Sequence, residues 1–149
     1  MALGYTQIPG VDYTKNYVPV ISDVTFRTLL ALWLVNQWDS NIVDIETVFL
    51  HGILEEEVYM TRPEGVELCV NGYDNCNAVK LQHAIYGLVQ SARAWWRMLT
   101  NFLKGLGFML SEADPCLFRK SDKFGFVMFS IYVNDALLIG DRKAIDEAK

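Results

Sequence analysis

Two stretches of the chain repeat their apolar residues in a way that predicts helices. In residues 80–108, Ile85, Leu88, Ala92, Trp95, Leu99, Phe102 and Leu106 fall at alternating steps of three and four. That is one face of an amphipathic helix. Gly105 or Gly107 stops it, and Arg93, Arg97 and Lys104 fall off the apolar face. Earlier, "SDVTFRTLLALWLVNQW" offers Ser22 or Asp23 as a helix cap. Apolar residues then occupy nearly every side, which predicts a well-buried helix ending between Asn36 and Ser40. Short strands are expected at Ile42, Val43 and Ile45, and at Val58, Tyr59 and Met60, where Pro63 and Gly65 end the run. "DPCLFRK" and "FGFVMFSIYV" read as strands joined by the turn "SDKFG", and "ALLIG" as another. Residues 1–20 carry the turn signals "IPG" and "YVP", and residues 66–78 form a turn-rich loop. Several strands around two long helices make an α+β domain. No repeat, low-complexity tract or dividing linker interrupts it.

Composition narrows the class. With 52% hydrophobic and 21% charged residues, a chain of 149 can bury a core and is not disordered. The longest apolar run, "LLALWLV" at residues 29–35, is too short to span a bilayer. The N-terminus lacks the basic-then-apolar order of a signal peptide, so an intracellular location, cytoplasmic or nuclear, is expected. Three cysteines, Cys69, Cys76 and Cys116, argue against a disulfide framework. Cys69 and Cys76 lie too far apart for a zinc knuckle, and only His51 and His83 could join them. A net charge of −5 counts against non-specific nucleic-acid binding, which rests on surplus Lys and Arg. It leaves room for a local basic patch at Arg93, Arg97 and Lys104.

Two carboxylates stand out. Asp44 interrupts an apolar strand, and Asp135 follows Asn134 between the apolar runs "IYV" and "ALLIG". Charged residues are seldom buried unless paired or bound to metal. Two carboxylates brought together repel each other, and a divalent cation between them relieves it. Asn134-Asp135 also suits a two-residue hairpin turn, and Asp44 suits an ordinary strand end. The residues alone leave both readings open.

Longer blocks carry a family resemblance. "GYTQIPGVDYTKNYVPV", "RTLLALW", "VDIETVFLHGILEEEVYMTRPEG", "KLQHAIYGLVQSARAWW", "SEADPCLFRK" and "IYVNDALLIG" occur in this order between residues 4 and 141. They resemble the reverse transcriptase domain of copia-type LTR retrotransposon polyproteins. The last block aligns with that family's Y-V-D-D motif. The resemblance implies a partial polymerase fingers and palm across residues 1–149, an antiparallel sheet packed on two long helices. It implies two-metal nucleotidyl transfer with Mg²⁺ or Mn²⁺, acting on an RNA or DNA template-primer and a deoxynucleoside triphosphate. Other polyprotein domains are further partners, and no membrane is involved. By position, Asp44 matches the first catalytic carboxylate. Tyr132 and Val133 match the first two residues of the Y-V-D-D turn, and Asp135 its second aspartate. Phe49 matches the aromatic that excludes a ribose 2′-hydroxyl. Gln90, Ser91 and Arg93 match the segment near template and incoming nucleotide. Without the family, Phe49 reads as a strand-end core aromatic and the other three as a solvated helix face.

The departures matter as much. Asn134 stands where the family has its first aspartate, so one metal-holding charge is lost while the turn shape is kept. Leu3 and Val89 stand where basic residues are usual, and Ala92 where proline is. The family's further fingers sequence, thumb, connection and RNase H segments are missing from these 149 residues. The expectation is a catalytically impaired polymerase fragment; the alternative is a co-opted, non-catalytic module that binds nucleic acid or protein.

Overall fold

Ser22 starts the first helix as its chemistry suggests. Its hydroxyl accepts the Thr25 N–H at 3.1 Å, and α1 runs Asp23–Asn36 in the computed structural model, which describes residues 2–65 and 77–148. Apart from Asn77 and Ala78, the turn-rich loop expected at 66–78 lies outside the described residues, with Cys69 and Cys76. Gln37 closes α1 in the left-handed region at φ 52°. One face of α1 is covered: Leu29 packs with Met128 and Ile139, flanked by Trp33 and Trp38. Val24, Leu34 and Val35 are exposed. The expectation of a helix buried on nearly every side is therefore corrected. A helix lying on a sheet covers one stripe, and these three residues fall on the other side.

The sheet beneath α1 has five strands in the order β1-β7-β6-β5-β4, all antiparallel. They are β1 Asp39–Asp44, β4 Met109–Leu110, β5 Leu117–Asp122, β6 Gly125–Tyr132 and β7 Asp135–Gly140. Alternation sorts the side chains. Met128 and Ile139 meet Leu29 on one face. On the other, Phe129 meets the rings of Phe108 and Phe118 at 6.1 and 6.4 Å. A short helix, α3 Arg142–Glu147, tucks in Ala144 and Ile145. Six residues are too few for a helical period to be read, so nothing in the apolar pattern singled it out.

The second long helix, α2, spans Ser91–Gly105, which corrects the expectation that periodicity from Ile85 onward is helical. Ala78–His83 is instead strand β3, paired antiparallel with β2 Ile53–Thr61. Residues 84–90 turn, with Gly87 at φ 96°. The buried stripe of α2 is Trp95, Leu99 and Leu103, while Phe102 and Leu106 are exposed. The buried residues recur at steps of four, which puts Leu103 on the stripe and Phe102 on its flank. The helix closes with Phe108 N–H on the Leu103 carbonyl at 3.0 Å and Gly107 at φ 86°.

The chain divides into two compact units. One comprises Met1–Tyr17 and Phe49–Met98, the other Val18–Val48 and Leu99–Lys149. The first holds β2 and β3, the second the five-stranded sheet. Among the described residues no helix is long and apolar enough to cross a membrane.

Asp114, in "SEADPCLF", ties the second unit together. It is only 3% exposed. Its carboxylate accepts the Ser22 N–H at 2.9 Å and the Cys116 N–H at 2.9 Å, fixing the start of α1 on the turn that leads into β5. Burial alone would raise its pKa; the two N–H donors outweigh that and hold the carboxyl below its ordinary value. The same burial pushes the Cys116 thiol up to about 12, so it stays protonated. Asp114→Ala strands two N–H groups and should cost about 2 to 3 kcal/mol in urea unfolding followed by tryptophan emission. Because the folded pKa is lowered, the stabilisation is present above the unfolded value of about 3.9 and is lost as pH falls through the folded value. The difference between the unaltered chain and Asp114→Ala should thus be constant near neutrality and shrink in acid. A difference that stays flat down through the acid range contradicts the ionised contact.

Candidate functional site

The hairpin between β6 and β7 sits at the centre of the second unit. Tyr132 pairs with Asp135. Its two-residue loop is therefore Val133-Asn134, one position earlier than the Asn134-Asp135 turn read from sequence. Asp135 is the first residue of β7 and belongs to the ladder. Val133 lies at φ 58°. A positive φ at the first loop residue is usual for glycine in tight hairpins, and a β-branched side chain there is strained.

The next strand brings the partner. β1 pairs with β7 so that Asp44 stands directly opposite Asp135, and the Ile45 N–H reaches the Asn134 carbonyl at 3.0 Å. Both carboxylates are exposed and Asn134 is half-buried. Asn134 Nδ2 donates to Asp44 Oδ1 at 3.0 Å. All three residues singled out by sequence are thus together, although Asp44 lies ninety positions from Asn134. Asp135 also borders a cavity of about 510 Å³, lined mainly by Ile21, Phe26, Ile42, Tyr132 and Leu137.

The donor set suits a hard cation. Two carboxylates and an amide carbonyl are oxygen ligands of the kind Mg²⁺ and Mn²⁺ take. Only two of the three carry charge. Among the described residues, no group of three or more His, Cys, Asp or Glu side chains gathers to hold a metal. The amide also presents a donor to Asp44, where a cation would need an acceptor.

The residues matched to the nucleotide fall in the first unit. Phe49 stands on a 3-10 turn, Val48–His51, and its ring meets Tyr86 edge-on at 4.9 Å. Gly52 follows. A Cβ there would come within 2.8 Å of the Trp95 nitrogen, so only glycine lets this turn lie on α2. Gln90 is 2% exposed. Its carbonyl accepts Gln7 Nε2 at 3.0 Å, and its own Nε2 donates to the Asp12 carbonyl at 3.1 Å. Gln7 Oε1 in turn accepts the Val89 N–H at 2.8 Å. Ser91, also buried, donates to the Ile85 carbonyl. Arg93 is half-buried and donates to the Tyr17 carbonyl at 3.1 Å. Arg97 is paired with Glu55. Sequence reading missed Gln7 and Tyr86 as partners of these residues. The only signal for them was their place in the blocks "GYTQ" and "IYGL".

Comparison with known proteins follows this geometry. A family model described as reverse transcriptase (RNA-dependent DNA polymerase) matches residues 1–149. The chain is 34% identical over 143 residues to the retrovirus-related Pol polyprotein from transposon TNT 1-94 of Nicotiana tabacum, covering 95% of this chain and 10% of that protein. It is 37% identical over 142 residues to the corresponding polyprotein from transposon RE1 of Arabidopsis thaliana, covering 95% and 9%. A truncated transposon Ty1-A Gag-Pol polyprotein of Saccharomyces cerevisiae is 25% identical over 139 residues, covering 93% and 11%. The chain thus spans about a tenth of the length of these relatives. No solved structure matches it.

The amide at position 134 has a consequence before any metal is added. Like charges directly opposite on paired strands destabilise a sheet. The Asn134 N–H relieves part of that at Asp44. Asn134→Asp should therefore lower metal-free stability by about 1 kcal/mol. Raised salt should shrink the loss, since screening weakens exposed repulsion. Urea midpoints at two ionic strengths read this directly, and an Asn134→Asp chain as stable as the unaltered one would contradict it.

Proposed function

Since the chain belongs to the reverse transcriptase family, in the copia-type branch of retrotransposon Pol polyproteins, we propose that it is a fingers and palm segment whose metal site is impaired at Asn134. The observation that carries this reading is the register that sets Asp44 opposite Asp135 with the Asn134 amide on Asp44. The five-stranded sheet with α1 then corresponds to the palm.

In this reading Asp44 and Asp135 hold the divalent cation. When bound, that ion supplies Lewis-acid polarisation of phosphate oxygens and activation of a 3′-hydroxyl. Asn134 contributes a carbonyl oxygen without charge. Its Nδ2 must turn away from Asp44 before both oxygens of that carboxylate are open to a ligand. The site therefore starts from a weaker field and a preformed competing contact. Phe49 offers a flat apolar wall against the sugar, which disfavours a 2′-hydroxyl by leaving it without a partner. Arg93 supplies a guanidinium for phosphate. Gln90 and Ser91 act one step back, because their polar atoms are taken up in holding the N-terminal segment and the turn before α2. Template-primer, deoxynucleoside triphosphate and other polyprotein domains are the partners this reading brings.

A Mn²⁺ titration, followed by calorimetry or water-proton relaxation, tests the assignment. Changes in the shell around ligands shift affinity by about 10 to 100-fold. Restoring a charge within the site, Asn134→Asp, should tighten Mn²⁺ by at least tenfold. Asp44→Asn should weaken it. Affinity that ignores both substitutions would place the metal, and the proposed chemistry, elsewhere.

A further inference from the structure

Phe49 and Tyr86 come from segments far apart in the chain, yet their rings meet at 4.9 Å with an interplanar angle of 64°. This is the edge-to-face geometry that the ring quadrupoles favour, a positive edge against a negative face. Both rings stand on backbone that is tied down. The Gly52 N–H reaches the Phe49 carbonyl at 3.1 Å, and the Ala84 N–H reaches the Gly52 carbonyl at 2.7 Å. The Tyr86 carbonyl accepts the Ala2 N–H at 2.8 Å. Gly52 seats the Phe49 turn against α2, where no Cβ would fit. Gly87, next to Tyr86, holds φ 96° and abuts Gly4 so closely that a Cβ on Gly4 would overlap its carbonyl oxygen. The two rings therefore share one rigid frame within the first unit. Phe49 is half-buried and Tyr86 is 42% exposed. Together they form an apolar ledge with an open side.

A ring that discriminates by one hydroxyl must not swing. A side chain free to rotate away would admit the larger sugar, and only a fixed wall leaves the extra hydroxyl unsatisfied. We infer that Tyr86 is a positioning residue that fixes the Phe49 ring and thereby sets the preference for deoxyribose over ribose. The inference rests on the proposed nucleotide role of Phe49.

Equilibrium dialysis of labelled dATP and ATP with saturating Mn²⁺ tests it. The unaltered chain, Tyr86→Leu, Tyr86→Phe and Phe49→Ala are compared, each also with Asn134→Asp so that weak metal retention does not mask nucleotide. An aromatic pair of this geometry corresponds to a factor of about three to ten. Tyr86→Leu should lower the dATP-to-ATP preference by that factor while leaving dATP affinity close to the unaltered value, with a small fall in the urea midpoint from the lost ring pair. Tyr86→Phe keeps the ring and should keep the preference. A merely structural role would weaken both nucleotides together and leave their ratio unchanged. If Tyr86→Leu retains full preference while Phe49→Ala loses it, the inference fails and the role of Phe49 stands. If Phe49→Ala changes nothing, or neither nucleotide binds, the reading of Phe49 falls and the inference with it.

Discussion

The antiparallel register of β1 on β7 sets Asp44 opposite Asp135, and no local feature of either segment would bring them together. Strand side chains alternate with a period of two, so a slip of one residue would turn every side chain of β1 to the other face. Burial resists such a slip in β6 and β7, while β1 buries no residue and is held by its backbone ladder to β7. Ile139 and Met128 lie under Leu29 of α1, while Leu138 and Phe118 are fully buried in the sheet. The central strands cannot shift without exposing one set or burying polar groups. Asp114 adds a second restraint, because its carboxylate joins the start of α1 to the turn before β5. The packed core thus fixes the hairpin that carries Asn134 and Asp135, and the β1–β7 ladder sets Asp44 beside it.

The first unit shows why the blocks that carry the family resemblance stay together as blocks. Gly4 lies on the Gly87 carbonyl, Gly52 lies on α2, and Gln7 bonds both the Gln90 side chain and the Val89 backbone. Each contact joins a residue of one block to a residue of another. Glycine appears where a Cβ would collide, and glutamine where an amide must both donate and accept. Much of what looks like a catalytic signature is therefore an interlocking set of packing constraints. Gln90 is the clearest instance. The resemblance matches it to a segment near the nucleotide, while its own amide is buried and bonds Gln7 and Asp12.

How far the sequence could be read depended on the range of the forces involved. The cap at Ser22 and the closure of α2 near Gly105 and Gly107 are local, and both were legible. The strands ending at Pro63 and leading into "ALLIG" were legible for the same reason. The start of α2 was not, because Ile85 and Leu88 keep the helical spacing while Gly87 adopts a left-handed turn that a period cannot show. The buried stripe took in Leu103 and left out Phe102, because spacing alone does not say which flank of an apolar face is covered. In α1, apolar composition was mistaken for burial, since nothing in the chain says how many faces of a helix will be covered. At the site, Asp44 and Asp135 were nameable because charge in apolar strands is conspicuous, and Asn134 because it stands where the resembled motif has an aspartate. Their meeting was not, and neither was the partnership of Phe49 with Tyr86, for both are set by tertiary packing.

Asn134 can be understood through what it does for the fold without a ligand. A cluster of three carboxylates is stable when a cation neutralises it and strained when none is present. Replacing the middle one by asparagine converts a repulsion at Asp44 into a hydrogen bond. Asparagine also suits the tight Val133-Asn134 loop as well as aspartate does. The substitution keeps the backbone, relieves charge and weakens the same electrostatic field that would draw a metal in. Stability and chemistry pull in opposite directions here, as they do wherever a site is strained for function. Asn134 thus joins the strand end at Asp44 to the hairpin through one side-chain hydrogen bond, on a core that Leu29, Met128 and Ile139 pack.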